Sequence, residues 1–310
     1  MKLLSHYIEN QAKLYPEIVN WQNHYITEAL AYSYRDTQYD RGTFPSTIHW
    51  HDYYELVIFE DGDIQYSCEG NVYCPRQGDI ILIPPGKFHM SSICREQTSY
   101  KRHVFYLYPD AFSSLGHDAL VSFLSRAEKG ELFAFSSIDL KSELQDQLTL
   151  LKRALSDRPT ALDKALALSY IIRIFYLFNS KELLPGVDAA YYPDGILELR
   201  NYIDTSYADI ESVTQIADKF FYSREYVSRL FKKYFDVTIS EYILKRRIAE
   251  SQPQILKHCP LIDVAHNVGF GSLSTFIRAF RKVTGMTPSE YRRLSKHSVG
   301  TYTEDNASDK

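Results

Sequence analysis

Between residues 28 and 110, apolar side chains come in short runs cut by turn-formers. Segments 53–59, 64–68, 71–74, 79–83 and 103–108 are rich in β-branched and aromatic residues. Asp61-Gly62, Glu69-Gly70-Asn71, Gln77-Gly78 and Pro84-Pro85-Gly86 separate them. Many short strands divided by Gly and Pro predict a sandwich or barrel. Past residue 118 the period changes. Leu140, Leu144, Leu148, Leu151 and Leu155 recur at spacings of three and four, and Leu166, Tyr170, Ile171, Ile174, Phe175 and Phe178 mark a second apolar helix. Residues 118–182 are therefore expected to be helical, ending in an antiparallel pair. Pro and Gly at 184–193 predict a linker. Leu3, Leu4, Tyr7 and Ile8 give residues 1–25 a weak apolar face, and the polar stretch 298–310 is expected to be disordered.

From Ile216 onward the chain repeats itself. Ala217 falls on Ala265 at an offset of 48, and Arg229 falls on Arg278 at 49. Phe231-Lys232-Lys233 falls on Phe280-Arg281-Lys282, and Thr238-x-Ser240-Glu241-Tyr242 on Thr287-Pro288-Ser289-Glu290-Tyr291. Two copies mean a duplicated module rather than a solenoid. Each copy reads as a short helix, a turn and a second, basic helix, so the all-α C-terminal part is a tandem helix-turn-helix. Ser223 and Ser272 are good N-caps for the second helices. Val227, Leu230 and Phe231, and likewise Phe276, Ala279 and Phe280, should face the core. That leaves Arg224, Glu225, Ser228 and Arg229 outward in the first copy, and Leu273, Ser274, Ile277 and Arg278 in the second.

In a helix-turn-helix the second helix enters the major groove, where base edges are readable. Arg229 and Arg278 suit guanine or phosphate, and Leu273 and Ile277 suit thymine methyls. Lys232, Lys233, Arg281 and Lys282 lie further along and suit phosphates. A solvated helical bundle would also carry exposed basic residues, but matching arginines, each followed by Phe and two cations, favour DNA. Charge agrees. Between Lys219 and Arg293, 14 Lys and Arg stand against 6 Asp and Glu, so that segment carries +8 and the rest −12 of the overall −4. Such asymmetry suggests one part that faces nucleic acid.

Residues 194–293 resemble the DNA-binding domain of the AraC/XylS family of transcription regulators. Val264-Ala265, Val268-Gly269-Phe270, Phe276, Arg278, Phe280, Lys282, Gly285, Thr287-Pro288 and Tyr291-Arg292 fit its pattern. The resemblance implies two helix-turn-helix units joined by a linker helix, here about 238–256, with both recognition helices on one face of DNA. Phe221 stands where the first turn often has Gly, Asp236 replaces another Gly, Ile239 a Pro and Gln254 a Leu. Pro253 is expected to kink or break the linker helix.

A second constellation lies in the β region. His49-x-His51, Glu55 and Gly62 follow H-x-H-x3-E-x6-G spacing, and Gly78, Pro84, Gly86 and His89 follow G-x5-P-x-G-x2-H. These resemble the two cupin motifs, with Ile93 in place of the terminal Asn. The resemblance implies a small β-barrel, and an α+β chain overall. In AraC-like regulators such a barrel senses an effector, here assigned to His49, His51, Tyr53, Glu55, Tyr66 and His89. Trp50, Tyr53, Tyr54, Tyr66, Tyr73 and Phe88 suit a sugar, offering flat apolar faces with polar edges. Half of these aromatics should point away from the interior, because strand neighbours face opposite ways. No cofactor is favoured. The minority reading puts a metal on His49, His51, Glu55 and His89, and makes the chain a metal-dependent cupin enzyme with an appended DNA-binding domain. A third makes the barrel only a dimer scaffold.

The domains expected are 1–183 for effector binding and dimerisation, 184–193 as linker, 194–295 for DNA and 296–310 as tail. The function expected is a non-enzymatic, sequence-specific transcription regulator, more often an activator in such families. Its partners are double-stranded DNA, a small-molecule effector of carbohydrate type, RNA polymerase and a second copy of the chain. Cys68, Cys74, Cys94 and Cys259 lack C-x-x-C spacing and read as reduced thiols. With no long apolar run and no signal-like N-terminus, the expected compartment is the cytoplasm and no membrane partner is implied.

Overall fold

The computed structural model describes residues 23–40, 48–69, 71–108, 111–112, 118–125, 134–136, 141–156, 158–180, 184–185, 194–235 and 237–296. The expectations for residues 1–22, Asp236, most of the linker and the 298–310 tail lie outside them.

The strands in chain order are β1 (His24–Tyr25), β2 (Leu30–Asp40), β3 (Tyr54–Asp61), β4 (Ile64–Cys68), β5 (Asn71–Tyr73), β6 (Ile80–Ile83), β7 (His89–Ile93), β8 (Gln97–Leu107), β9 (Ala134–Ser136) and β10 (Leu184–Pro185). One sheet has the order β1-β2-β8-β3-β6-β9-β10 and the other β5-β4-β7. β2 and β8 are antiparallel along their whole length, with Leu30 opposite Leu107 and Asp40 opposite Gln97.

Period-2 alternation sorts the large sheet into two faces. Leu30, Tyr32, Tyr54, Leu56, Ile58, Phe105 and Leu107 pack outward on helices α1 (Lys141–Ala154) and α2 (Ala161–Ser180). Ala31, Val57, Phe59, Val104 and Tyr106 face an interior closed from the other side by Ile64, Tyr66, Cys68, Tyr73 and Ile93. Leu144, Leu148, Leu151 and Leu155 of the helical repeat, and Ile171, Ile174, Phe175 and Phe178, are all buried. Each such burial contributes about 1.5–3 kcal/mol. The segment before α1 differs from the helical expectation. It holds a 3-10 turn at Asp118–Val121 and the strand β9, which pairs with β6. Its two apolar side chains explain this, since Ala134 fills the interior and Phe135 the helix-facing core.

The C-terminal part is all helix: α3 (Asp194–Ser206), α4 (Val213–Lys219), α5 (Arg224–Phe235), α6 (Ile239–Leu256), α7 (Leu261–Asn267), α8 (Leu273–Thr284) and α9 (Pro288–Lys296). The duplication seen in sequence is one of packing. Phe231 meets Tyr242 at 5.2 Å between ring centroids, and Phe280 meets Tyr291 at 5.6 Å. Arg247 donates to the carbonyls of Tyr207 and Ile210 ahead of the first unit, and Arg292 to those of Ile255 and Cys259 ahead of the second. α6 begins with a capping box between Thr238 and Glu241. It runs through Pro253, contrary to the expected break. The proline sits in the last turn, where one i→i−4 bond, to Ala249, is forgone, and its own carbonyl still accepts from Lys257.

Candidate nucleic-acid interface and effector site

The turns that present α5 and α8 are the same turn built twice. Phe221 N–H donates to Asp218 O and Tyr222 N–H to Ala217 O; Gly269 N–H donates to His266 O and Phe270 N–H to Ala265 O. Both turn residues are left-handed, Phe221 at φ 57° and Gly269 at φ 86°. The Gly missing from the first turn is therefore replaced without changing the turn. Ser223 Oγ accepts from Tyr226 N–H at 3.2 Å and Ser272 Oγ from Thr275 N–H at 3.3 Å, which starts each following helix.

On α5, Val227 and Phe231 are buried, Leu230 and Ser228 are half-buried, and Arg224, Glu225, Arg229, Lys232 and Lys233 are exposed. On α8, Phe276 and Phe280 are buried, while Ser274, Arg278, Arg281 and Lys282 are exposed. Leu273 and Ile277, expected on the outer face, are half-buried and pack on the core of this domain. Apolar side chains at the edge of an amphipathic stripe turn inward when core is within reach. Thr275, unremarked in sequence, is exposed in the first turn of α8.

The sheet domain gathers His49, Glu55 and His89, whose ligand atoms lie within 4.8 Å of one another. His51 Nδ1 donates to Tyr53 O at 2.7 Å, and His89 Nδ1 to Lys87 O at 2.9 Å. In the neutral tautomers this turns both Nε2 lone pairs toward Glu55 Oε2, at 3.1 Å and 3.5 Å. Three acceptors that converge need a proton or a cation between them. Burial would raise Glu55, but the two imidazoles beside it hold it well below the usual carboxylate range. Burial lowers His51. The donor set fits a divalent metal held by His49, Glu55 and His89, with His51 beside it.

Tyr53 stacks on His51 at 4.0 Å, and Tyr66 shares a hydroxyl contact with Tyr100; with Tyr73 they face the interior. The other three aromatics do not. Tyr54 packs toward α1 and α2, and Trp50 and Phe88 toward the helical domain.

That last placement joins the two halves. Ile48, Trp50, Phe88 and Met90 are part of the core of the C-terminal domain. Trp50 Nε1–H donates to Gln252 Oε1 at 3.0 Å, Lys245 Nζ to Ile48 O at 2.8 Å, and Phe88 lies 5.2 Å from Tyr242. Arg200 donates to Glu69 O at 2.6 Å, and Arg246 pairs with the Glu69 carboxylate at 3.2 Å. Asp52 accepts from Tyr108 on its own side and from Tyr291 on α9, both at 3.2 Å. His49, His51 and His89 thus alternate along the chain with the residues that grip the linker helix.

A sheet domain with a buried polar interior, fastened to paired helix-turn-helix units, is the architecture of a DNA-binding transcription regulator. Comparison with known proteins names its family. Residues 32–172 match the family described as "AraC-like ligand binding domain" and residues 216–294 match "Helix-turn-helix domain", together more than half of the chain. The chain belongs to the AraC-type regulators. The Melibiose operon regulatory protein of Escherichia coli (strain K12) is 23% identical over 267 residues, covering 83% of this chain and 86% of that one. The HTH-type transcriptional regulator YijO of the same organism is 39% identical over 97 residues, 31% of this chain and 34% of that one. Among solved structures, ToxT from Vibrio cholerae is 15% identical, with a TM-score of 0.34 over 85% of this chain and 98% of that one. Among the described residues no helix is long and apolar enough to cross a membrane.

Proposed function

We propose that the chain is a sequence-specific transcription activator of the cytoplasm, switched by a small carbohydrate held between its two sheets. The observation that carries the DNA half is the pair of exposed arginines, Arg229 and Arg278, at matching places on two identically built helix starts. Both would read bases, Ser228 and Ser274 would sit beside them, and Lys232, Lys233, Arg281 and Lys282 would hold phosphates. Arg224, Glu225, Leu273 and Ile277 complete the interface at its edges.

His49, His51, Tyr53, Glu55, Tyr66 and His89 would contact the effector. Support for a sugar comes from Tyr53, Tyr66 and Tyr73 in the interior, and from the name of the melibiose relative. The same cluster serves a bound metal without making the chain an enzyme. Effector binding acts by its differential affinity for the arrangements of the two halves, and changes promoter occupancy or contact with RNA polymerase. Residues 1–183 and 194–295 would be the two working units, with 184–193 between them and 296–310 as tail. Dimerisation would use α2, where Leu162, Leu166 and Tyr176 are exposed on one side. A DNase footprint of the full-length chain on DNA flanking its own gene, with and without pooled sugars, tests the whole reading. Paired protected segments whose strength changes with sugar are expected. Absence of protection at moderate salt refutes it, and protection indifferent to sugars refutes the effector class.

A further inference from the structure

The histidine cluster and the joint between the two halves are built from the same two chain segments. Residues 48–51 lie outside the named strands and meet the start of β7 through one isolated backbone bridge. There His49 N–H donates to His89 O at 3.0 Å, and His89 N–H to His49 O at 2.9 Å. Side chains alternate along both segments. His49 and His89 gather at Glu55, while Ile48, Trp50, Phe88 and Met90 enter the core of the helical half. Whatever fixes His49 relative to His89 therefore fixes the surface on which α6 rests. The cluster itself is incomplete. His89 spends Nδ1–H on Lys87 O, so its Nε2 presents a lone pair. That atom is buried without a hydrogen-bond partner among the described residues, with Glu55 Oε2 at 3.5 Å. Buried polar atoms of a native fold are ordinarily paired. Imidazoles together with a carboxylate suit Zn²⁺ or Mn²⁺, whereas Mg²⁺ and Ca²⁺ take oxygen shells.

We propose that one divalent transition-metal ion, held by His49, Glu55 and His89, locks the joint between the sheet domain and the linker helix α6. The ion ties β3, through Glu55, to the two segments that carry Ile48, Trp50, Phe88 and Met90. A single backbone bridge becomes a three-point cross-link. His51, held by Tyr53 O and 3.1 Å from Glu55, positions the carboxylate. Metal occupancy is then an input to the regulator separate from the small-molecule effector. It requires no sugar, and it stands or falls apart from the sugar reading of the interior.

Calorimetry and hydrogen exchange on the untagged full-length chain decide it. Calorimetry should show one Zn²⁺ taken up per chain, with Mg²⁺ at millimolar concentration failing to compete. Exchange is then compared in EDTA and at about a hundred times the measured Kd of Zn²⁺. The ion should slow exchange by up to roughly a hundredfold wherever opening of the joint breaks the site. The segments expected to slow are 48–51, 86–90 and 242–252 of α6. Glu55→Gln and His89→Gln should each lose both the uptake and the slowing. Absence of uptake overturns the site. Uptake that survives both substitutions, or that Mg²⁺ displaces, puts the ion elsewhere and overturns it as well. Slowing confined to 48–51 and 86–90 leaves a metal site but overturns the lock on α6. The exchange pattern of the parent needs no variant, so it decides even where a substituted chain fails to fold.

Discussion

The duplicated turn offers an internally controlled perturbation, since Phe221 and Gly269 occupy the same place in two copies of one motif. A left-handed residue other than Gly costs roughly 1–2 kcal/mol. Phe221 carries that cost at φ 57°, and at 95% exposure it recovers nothing by burial. Phe221→Gly removes the strain but adds about 0.5–1 kcal/mol of unfolded-state entropy. The net expectation is a gain of about 0.5–1 kcal/mol. Gly269→Ala runs the other way. It acquires the left-handed cost, and its Cβ would sit 2.3 Å from Ala208 O and 2.8 Å from Ala208 Cα. That carbonyl belongs to the loop that Arg247 holds, so backbone must move and the loss should be about 2–4 kcal/mol. Thermal unfolding of the full-length chain, followed by circular dichroism at a helix wavelength, measures both. The melting temperature should rise by roughly 1–4 °C for the first and fall by roughly 5–15 °C for the second. Shifts of the same sign, or a neutral Gly269→Ala, would refute the equivalence of the turns.

Three further outcomes are expected. Arg229→Ala and Arg278→Ala should each weaken operator binding by about 1–3 kcal/mol. Lys232→Ala should weaken all sequences alike and flatten the salt dependence; mobility shifts at several salt concentrations separate these, and uniform losses from all three would reverse the assignments. Asp52 is pushed by burial from its ordinary 3.8 up to about 6, against hydrogen bonds from Tyr108 and Tyr291 that lower it. The folded chain then keeps a proton that the unfolded chain releases. This contribution is complete below about pH 4 and lost as pH rises to about 6. Asp52→Asn should remove that part of the pH dependence of the melting temperature, and an unchanged slope would contradict it. Trp50→Ala removes a buried ring from the core shared by the two halves, a change that typically costs about 3–5 kcal/mol. It should also reduce the effect of the effector on DNA binding, and a fully retained effector response would show that the signal takes another route.

The helical half was largely legible in sequence, because its information is local. Caps at Ser223 and Ser272 and a 3.6-residue period do not depend on distant partners, and the repeat doubled every signal. The sheet half was legible as strands but not as faces. Whether Trp50 points to the interior or to Gln252 is decided by a domain 200 residues further along the chain. By sequence Trp50 and Phe88 suit a pocket wall; in the structure they are junction residues.

The sheet domain grips α3 of the first unit through Arg200, α6 through Trp50 and Phe88, and α9 of the second through Asp52. A body clamped at three places across a joint acts as a jig for that joint. The interval between Arg229 and Arg278 is then gauged by a part of the molecule that need not approach DNA. Operators with one base pair added or removed between the two contacted segments should be penalised in proportion to how firmly the jig is clamped. A chain with Trp50 truncated should tolerate such misfits more readily, exchanging discrimination for reach.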